Sequence, residues 1–461
     1  MYTIAYAADP SKESSPLFEE QHRWAVEEWR GCSFRLGVAP LALGLLFGHD
    51  SQACGLGWYE ARRWRAQRDR QLVKKRGSLS CHGLRAQWPI RMEMKTTSKF
   101  WLERVRQLLM LSALMGAAAF AAGAAAVPDA WKLWQAGALR GANVMQEQCT
   151  LEDLAVLRSW GANLAEIPVS NVYAPTPPYG FEPENLKQLD RAVAAAEQAH
   201  LFIALTCREG PGRADFNRSH EIWKEEAAQE AYAKMWRAIA EHYRGRASIL
   251  GYDLMCEPHP DDYANKPLGD WNALAKKITA AIREVDLTTP ILVNSIGWAY
   301  PQTFDVLQPT GDPRTVYTVH FYDPHYYTHQ KPADKVGYPG FRVPGKSEVV
   351  WDKAALEAKL APVRAFQQKH HVPIFVGEFG CARYAPGVED WMRDQLNLYE
   401  QYGWSWAWWA FREWDVMNIE RTADPADKVN HSDAPLLKLF EGYLAKDKSF
   451  PSGDVEKNST R

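Results

Sequence analysis

The sequence has no large excess of charge of either sign. Its 461 residues carry a formal net charge of −2 at pH 7, which argues against a nucleic acid or a strongly acidic ligand as partner. No GxGxxG motif follows the first predicted strand, which disfavours a dinucleotide-binding fold. No predicted strand ends in lysine, which argues against Schiff-base chemistry of the aldolase kind.

Cysteine is also scarce. Four of the seven cysteines lie after residue 126, and none of them has CxxC spacing: Cys149, Cys207, Cys256 and Cys381. This pattern predicts neither a zinc site nor a disulfide framework, although a single bridge stays open. The three histidines His320, His325 and His329 lack the spacing that would place all of them on one face of a helix, so they do not predict a metal site. We expect no metal and no cofactor.

The chain has no apolar run that is long enough to predict a membrane span with confidence. Residues 92–126 instead follow the order of a secretory signal peptide, with basic residues, a short apolar stretch at 108–122 and small residues before Val127. We therefore expect export to the periplasm or the medium, with no stable membrane insertion after cleavage.

A signal peptide belongs at the N-terminus, yet this one begins near residue 92. We hypothesise that translation begins at Met92 or Met94, and that residues 1–91 are an upstream extension without a native fold. The alternative is a genuine extension followed by a membrane anchor. On the first interpretation the mature chain is 127–461, which is somewhat longer than one barrel-sized domain needs.

Aromatic residues are abundant, with 20 Trp and 19 Tyr. Large aromatic side chains bury well, so core packing explains many of them. They also suit sugars, whose C–H faces pack on rings while the hydroxyl groups form hydrogen bonds. Composition alone leaves both interpretations open.

Short β-rich runs alternate with amphipathic helical stretches along the mature chain. Eight candidate strands lie at 138–144, 162–170, 201–207, 249–258, 290–298, 315–324, 373–380 and 404–411. Six helical stretches lie between them, and only the connection after the fifth strand lacks a clear helix pattern. Alternating strands and helices indicate βαβ units, and eight strands in one domain predict an α/β fold of the (β/α)8 TIM-barrel type with a single catalytic domain.

Functional groups in such barrels lie at the carboxyl ends of the strands. The fourth predicted strand ends in Glu257 and the seventh in Glu378. These two carboxyl groups are expected to face each other across the barrel mouth. A pair of carboxyl groups can hydrolyse a glycosidic bond, one as acid and the other as nucleophile, if the two lie about 5–5.5 Å apart.

The order of the strand-end elements EP, VHFY, VGEFG and WAWW resembles glycoside hydrolase family 5, a family of retaining (β/α)8 enzymes. The resemblance extends from LRGANV to WWAFREWD, nearly the whole mature chain. It implies that Glu257 is the acid/base and Glu378 the nucleophile. It further implies that His320 and Tyr322 contact the sugar and orient the nucleophile, and that Trp409, not Trp408, forms the floor of the subsite.

Three positions depart from the family pattern. Cys256 stands where the family has Asn, and a thiol is a weak donor for the sugar 2-hydroxyl. Glu166 stands at the family's Arg, and Arg208 lies near the family's His. We hypothesise one compensated change, in which Arg208 keeps Glu378 ionised and Glu166 is the partner of Arg208.

The sequence therefore predicts an exported, monomeric, retaining β-glycosidase that acts on a β-linked glucan or mannan. Trp298 is a candidate sugar platform, with core packing as the alternative, and the loop DPHYYTHQ is a candidate aromatic rim. A non-catalytic carbohydrate-binding barrel remains the second interpretation, because of the changes at Cys256 and Glu166.

Overall fold

The β-rich runs form a closed parallel barrel. The computed structural model describes residues 129–214, 220–260, 264–343 and 349–445, and within them eight strands pair in sequence order, with the last strand closing onto the first. The strands are β1 (Arg140–Asn143), β2 (Leu164–Ser170), β3 (Phe202–Glu209), β4 (Ile249–Asp253), β5 (Ile291–Asn294), β6 (Thr315–His320), β7 (Ile374–Glu378) and β8 (Ser405–Trp408).

Helices lie before, between and after the strands. Those of the described residues are α1 (Ala130–Gln135), α2 (Leu151–Ser159), α3 (Pro183–Gln198), α4 (Glu226–Tyr243), α5 (Trp271–Arg283), α6 (Ile296–Ala299), α7 (His325–Thr328), α8 (Lys353–His370), α9 (Val388–Tyr402) and α10 (Pro435–Leu444). Short 3-10 turns lie at Gln146–Gln148, Glu221–Trp223, Pro267–Gly269, Pro301–Asp305 and Asp415–Met417.

The long helices form where apolar residues recur at helical spacing. In α5 the side chains of Trp271, Leu274, Ile278 and Ile282 are buried, so one face of the helix packs against the barrel. Asp270 caps the helix start, because its carboxylate accepts the N–H of Ala273. The same periodicity in the sequence predicts this helix.

The predicted fold class is confirmed, and all eight predicted strands are present. The connection after β5 contains only α6 and the turn Pro301–Asp305, as its weak helix pattern indicated. Patterning did not predict α1 or α10. The predicted segments 1–91 and 92–126 lie outside the described residues. Within the described ranges, no helix combines the length and apolar character needed to cross a bilayer, and the four cysteines there are free.

The barrel interior is apolar at the end where the strands begin. Leu164, Phe202, Leu292, Val316 and Phe375 pack there with the buried residues of α1. Within α1, Trp134 is fully buried and donates its indole N–H to the Leu250 carbonyl at 2.8 Å. Helix α1 therefore closes this end of the barrel.

Polar side chains replace apolar ones toward the opposite end. Because side chains alternate along a strand, positions two residues apart share the interior face. On β2, apolar Leu164 is followed two residues later by Glu166. On β6, Val316 is followed by Thr318 and then by His320. Along the strands, the side chains of the barrel interior therefore change from apolar at the end that α1 closes to charged at the mouth.

Candidate active site

Glu378 ends β7 and is held from three sides. Arg208 donates to Oε1 at 2.9 Å, and the Tyr322 hydroxyl donates to Oε2 at 2.9 Å. The Cys256 thiol lies 3.6 Å from Oε1 and donates a weak hydrogen bond. The side chain is 9% exposed. The carboxylate is thereby fixed in orientation while it faces the barrel mouth.

Arg208 lies within β3, and its guanidinium joins three strands. Besides Glu378, it donates to Asn143 Oδ1 at 3.1 Å, and Asn143 donates to the Gly377 carbonyl at 2.7 Å. Burial disfavours the Arg208 cation, but nearby carboxylates, Glu378 foremost, outweigh it and raise the pKa of Arg208 above its ordinary value. The predicted pairing of Arg208 with Glu378 is therefore present.

Glu257 follows β4 in a loop and does not extend the strand. Its backbone has a φ of 52°, in the left-handed region that side chains other than glycine rarely adopt. Its N–H donates to Asn294 Oδ1 at 3.2 Å, which holds this conformation. Its side chain is 25% exposed, so the carboxyl group reaches the open part of the mouth.

His320 ends β6 and lies between the two glutamates. Its Nδ1 is 2.8 Å from Glu257 Oε1 and 3.6 Å from Glu378 Oε2. Burial lowers the affinity of the ring for a proton, but Glu378 and Glu257 outweigh it and raise the pKa of His320. Gly377 makes room for the ring, because a Cβ there would lie 3.0 Å from His320 Nε2.

The two candidate catalytic carboxyl groups are close together. Because His320 Nδ1 is 2.8 Å from one and 3.6 Å from the other, Glu257 Oε1 and Glu378 Oε2 are separated by at most the sum of these distances, about 6.4 Å. Burial raises the pKa of Glu257; the hydrogen bond with His320 opposes this rise and the charge of Glu378 adds to it. The structure thus places a carboxyl group whose pKa is raised beside one that hydrogen-bond donors hold in place.

A second pair of carboxyl groups lies directly beneath. Glu166 and Asp253 are almost fully buried and share a hydrogen bond. Burial, and then the charges of Asp253 and Glu378, raise the pKa of Glu166 well above its ordinary value. Burial also raises the pKa of Asp253 to about 6. The expected partnership of Glu166 with Arg208 is present as an attraction between their charges, while the hydrogen bond of Glu166 is with Asp253.

Asn294 is a site residue that sequence reasoning missed. It is fully buried, and its amide donates to Asp253 Oδ1 at 2.8 Å and to Oδ2 at 3.0 Å. Only its oxygen is then left to face Glu257. Strand-end Asn is common, so only the measured contacts distinguish this residue from an ordinary polar group.

Glu413, in the loop after β8, is the second site residue that was missed. Burial raises its pKa, with Arg208 opposing and Glu378 adding to the rise. Its Oε2 is buried and has no hydrogen-bond partner within the described residues. No motif marks this position in the sequence.

The aromatic candidates divide into surface and core. Trp409 is half-buried beside β8 and lies 5.6 Å from the ring of Trp414, whereas Trp408 is 1% exposed and packs in the core. Trp298 is half-buried and stacks on His259 with ring centroids 3.7 Å apart, next to the Glu257 loop. Both Trp298 and Trp409 are thus available at the mouth.

The predicted aromatic rim forms the short helix α7. His325 and His329 stack with ring centroids 3.7 Å apart, and His329 lies 5.3 Å from the Tyr322 ring. Tyr327 is fully buried. Part of this loop therefore packs against the site, and only part of it faces the mouth.

Comparison with known proteins agrees with this geometry. The chain is 25% identical over 282 residues to Endoglucanase C of Acetivibrio thermocellus, covering 54% of this chain and 80% of that protein. It is 22% identical over 320 residues to a beta-xylosidase of Phanerodontia chrysosporium, covering 64% and 61%. The crystal structure of endoglucanase Cel5A from Thermotoga maritima matches with a TM-score of 0.54 at 21% identity, covering 69% of this chain and 100% of that chain.

The family itself follows from a match over more than half of the sequence. A family model described as Cellulase (glycosyl hydrolase family 5) matches residues 132–414, the segment that contains the whole barrel and the charged mouth. The resemblance inferred from the strand-end elements is confirmed. The chain is a glycoside hydrolase and belongs to glycosyl hydrolase family 5, the cellulase family.

Proposed function

We propose that the protein is a retaining endo-β-1,4-glucanase in which Glu257 is the acid/base and Glu378 the nucleophile. The observation that carries this proposal is the limit of about 6.4 Å between Glu257 Oε1 and Glu378 Oε2. Inverting enzymes keep their carboxyl groups roughly 6.5–9.5 Å apart to admit a water, while retaining enzymes hold them at about 5–5.5 Å. This limit on one pair of oxygens is compatible with the retaining distance, and it supports double displacement.

In the first step Glu378 attacks the anomeric carbon and the bond to the leaving oxygen breaks. Glu257 gives its proton to that oxygen, and a covalent glycosyl-enzyme forms at Glu378. Arg208 and Tyr322 support this role, because their hydrogen bonds aim the carboxylate before the sugar arrives. The burial that raises the pKa of Glu257 favours the proton-donating form.

In the second step the two glutamates act in the opposite direction. Glu257, now ionised, removes a proton from water, and the water oxygen attacks the anomeric carbon. The bond to Glu378 breaks and its carboxylate returns to Arg208 and Tyr322. His320 lies within hydrogen-bond distance of Glu257 and close to Glu378, so it can stabilise each carboxylate as its charge changes.

The substrate class is inferred from the named relatives and from the mouth. Endoglucanase C of Acetivibrio thermocellus is among the matching proteins, and Trp298 and Trp409 offer ring surfaces on which a glucan could stack. Cys256 directs its thiol to Glu378. We therefore expect weaker recognition of the sugar 2-hydroxyl than an amide at this position would give.

The test is hydrolysis of soluble β-glucans, mannans and xylans by the wild type and by Glu257→Gln and Glu378→Gln. We expect turnover on β-1,4-glucan, a first-formed product with the β configuration by NMR, and loss of activity in both variants. A first-formed α product, or full activity in either variant, would contradict the proposed roles.

A non-catalytic carbohydrate-binding barrel is the second candidate, motivated by Cys256 and Glu166. Such a protein would bind the polysaccharides without hydrolysing any of them. Isothermal titration with cellooligosaccharides beside the activity panel separates the two, since binding without turnover on every substrate would favour this candidate.

We also propose that the protein is exported and acts as a monomer. The signal-like pattern at 92–126 supports export, with residues 1–91 absent from the natural protein. N-terminal sequencing of the natural protein should find Val127 as the first residue. A mature chain that retains residues before Met92 would overturn this proposal, and sedimentation analysis tests the monomer.

A further inference from the structure

The mouth contains a set of metal-binding donors that the proposed reaction does not use as such. Cys256, His320 and Glu378 are buried, come from three different strand ends, and place their ligand atoms within 4.8 Å of one another. The set combines a thiol, an imidazole and a carboxylate. These are the three side-chain types that bind Zn²⁺ in proteins.

The measured spacings fit one tetrahedral ion. Zn–N and Zn–O bonds of about 2.0–2.1 Å and Zn–S bonds of about 2.3 Å put neighbouring ligand atoms roughly 3.3–3.7 Å apart. Here Cys256 Sγ is 3.6 Å from Glu378 Oε1, and His320 Nδ1 is 3.6 Å from Glu378 Oε2. These two contacts run to different oxygens of Glu378, and the three ligand atoms lie within 4.8 Å of one another, so the side chains shift toward the ion when it binds.

The charges around the site also favour a cation. Within the described residues, five carboxyl groups influence one another here: Glu166, Asp253, Glu257, Glu378 and Glu413. The basic groups that act on them or on Cys256 are Arg208, His320 and Arg213. Arg208 and Tyr322 each occupy one acceptor position on Glu378. A carboxylate offers about four such positions, so both contacts can persist beside an ion.

We propose that Cys256, His320 and Glu378 form an inhibitory site for a thiophilic divalent cation, Zn²⁺ being the best fit. Binding replaces the thiol proton of Cys256, which leaves to solvent, and replaces the contact of His320 Nδ1 with Glu257. The fourth ligand is a water or Glu257, on the side of the mouth. The binding stands on this geometry alone, whereas the inhibition rests on the proposed function, because the ion occupies the nucleophile.

Co²⁺ provides a readout that needs no turnover. A tetrahedral cobalt–thiolate site absorbs strongly through sulfur-to-metal charge transfer. Titrating the full chain with CoCl₂ should produce this absorption in the wild type and in Cys149→Ser, a buried cysteine outside the proposed ligand set, and not in Cys256→Ser. No absorption in the wild type, or absorption that survives in Cys256→Ser, would overturn the site.

Alkylation gives a second measurement that does not depend on the folding of a variant. Zn²⁺ should slow the reaction of Cys256 with iodoacetamide by more than about tenfold in the wild type, as followed by peptide mass spectrometry. An unchanged rate would contradict the site. Circular dichroism shows whether Cys256→Ser retains the fold and therefore which measurement decides.

Inhibition completes the test. Zn²⁺ should inhibit the wild type reversibly, with recovery on adding a chelator, and the apparent inhibition constant should rise at least ~100-fold in Cys256→Ser, since even an outer contact of a metal site is worth ~10–100-fold in affinity. Equal sensitivity of both proteins would reject the inhibitory role. If no variant hydrolyses any glycan, the proposed function fails while the cobalt titration still decides the metal site.

Discussion

The two ends of the barrel interior differ in the kinds of side chain that they bury. Where the strands begin, Leu164, Val316 and Phe375 pack beneath Trp134 of α1. Where the strands end, carboxyl groups crowd around Arg208 and His320. Apolar burial stabilises the fold at one end. At the other end, burying charged groups is costly unless they are paired, and the network of contacts offsets that cost.

Positive backbone φ values occur at the mouth and also at the opposite end. Glu257 and Trp298, which follow β4 and β5, have values of 52° and 66°, and His200 and His371, which precede β3 and β7, have values of 57° and 53°. Side chains other than glycine adopt this region at a cost in free energy. The difference between the two ends therefore lies in their side chains: the end that α1 closes supplies stability, and the mouth holds charged groups for chemistry.

The largest effect is expected at the mouth. Glu378→Gln keeps the size of the side chain but removes the carboxylate that we propose as nucleophile, so kcat should fall ~10⁴–10⁶-fold, as for other lost nucleophiles. Glu184→Gln, at an exposed position of α3, is the matched control and should leave kcat unchanged. Steady-state kinetics measure both, and a Glu378→Gln enzyme within tenfold of the wild type would break the assignment.

Substitutions at the end of the barrel that α1 closes should lower stability and leave catalysis unchanged. Trp134→Ala removes a fully buried ring and its hydrogen bond to Leu250, so unfolding should become easier by ~3–5 kcal/mol. Trp131→Ala, half-buried on the same helix, should cost less. Denaturant titration measures the loss. A large loss of kcat in the folded Trp134→Ala protein would show that the end closed by α1 also contributes to catalysis.

Arg208 tests what the contacts at the mouth contribute. Arg208→Ala removes the donor to Glu378 and Asn143, and kcat/KM should drop ~10²–10³-fold, as when a preorganised donor is lost. Arg208→Lys should recover part of this, because it keeps the charge without the planar fork. Arg237→Ala removes an exposed ion-pair cation and is the control. Wild-type turnover in Arg208→Ala would contradict the compensated change.

The smallest expected effect is a pH dependence of stability at the edge of the mouth. Burial lowers the pKa of His325 from 6.5 to about 4. Between these values the unfolded chain binds a proton that the folded protein does not, so stability is full above pH 6.5 and falls as the pH drops toward 4. For His325 the loss should be ~1–3 kcal/mol.

Unfolding free energies at pH 7 and pH 4.5 measure this dependence. His325→Asn should flatten it, whereas His200→Asn, at an exposed position, should not. An unchanged pH dependence in His325→Asn would show that other groups cause it.

Much of the fold was predictable because it depends on local patterns. Alternation of strands and helices indicates the barrel, and the helical spacing of Trp271, Leu274 and Ile278 marks α5. Helix α1 was not predicted because it has only six residues and lies next to the segment assigned to the signal peptide. Its role in closing the barrel depends on contacts with strands that are distant in the sequence.

The site was predictable only where motifs exist. EP and VGEFG indicate Glu257 and Glu378, and strand order places them on one rim. The left-handed backbone of Glu257, its contact with Asn294 and the hydrogen bond between Glu166 and Asp253 were not predictable. They depend on contacts between residues that are far apart in the sequence.

Azide rescue tests the assignment of the two glutamates most directly. With an aryl β-glucoside, whose leaving group needs little protonation, azide should replace the missing carboxylate of Glu378→Ala and yield the α-glycosyl azide. In Glu257→Ala, azide should instead attack the glycosyl-enzyme and yield the β-glycosyl azide. NMR identifies the anomer. The reverse pattern, or the same anomer from both variants, would contradict Glu378 as nucleophile and Glu257 as acid/base.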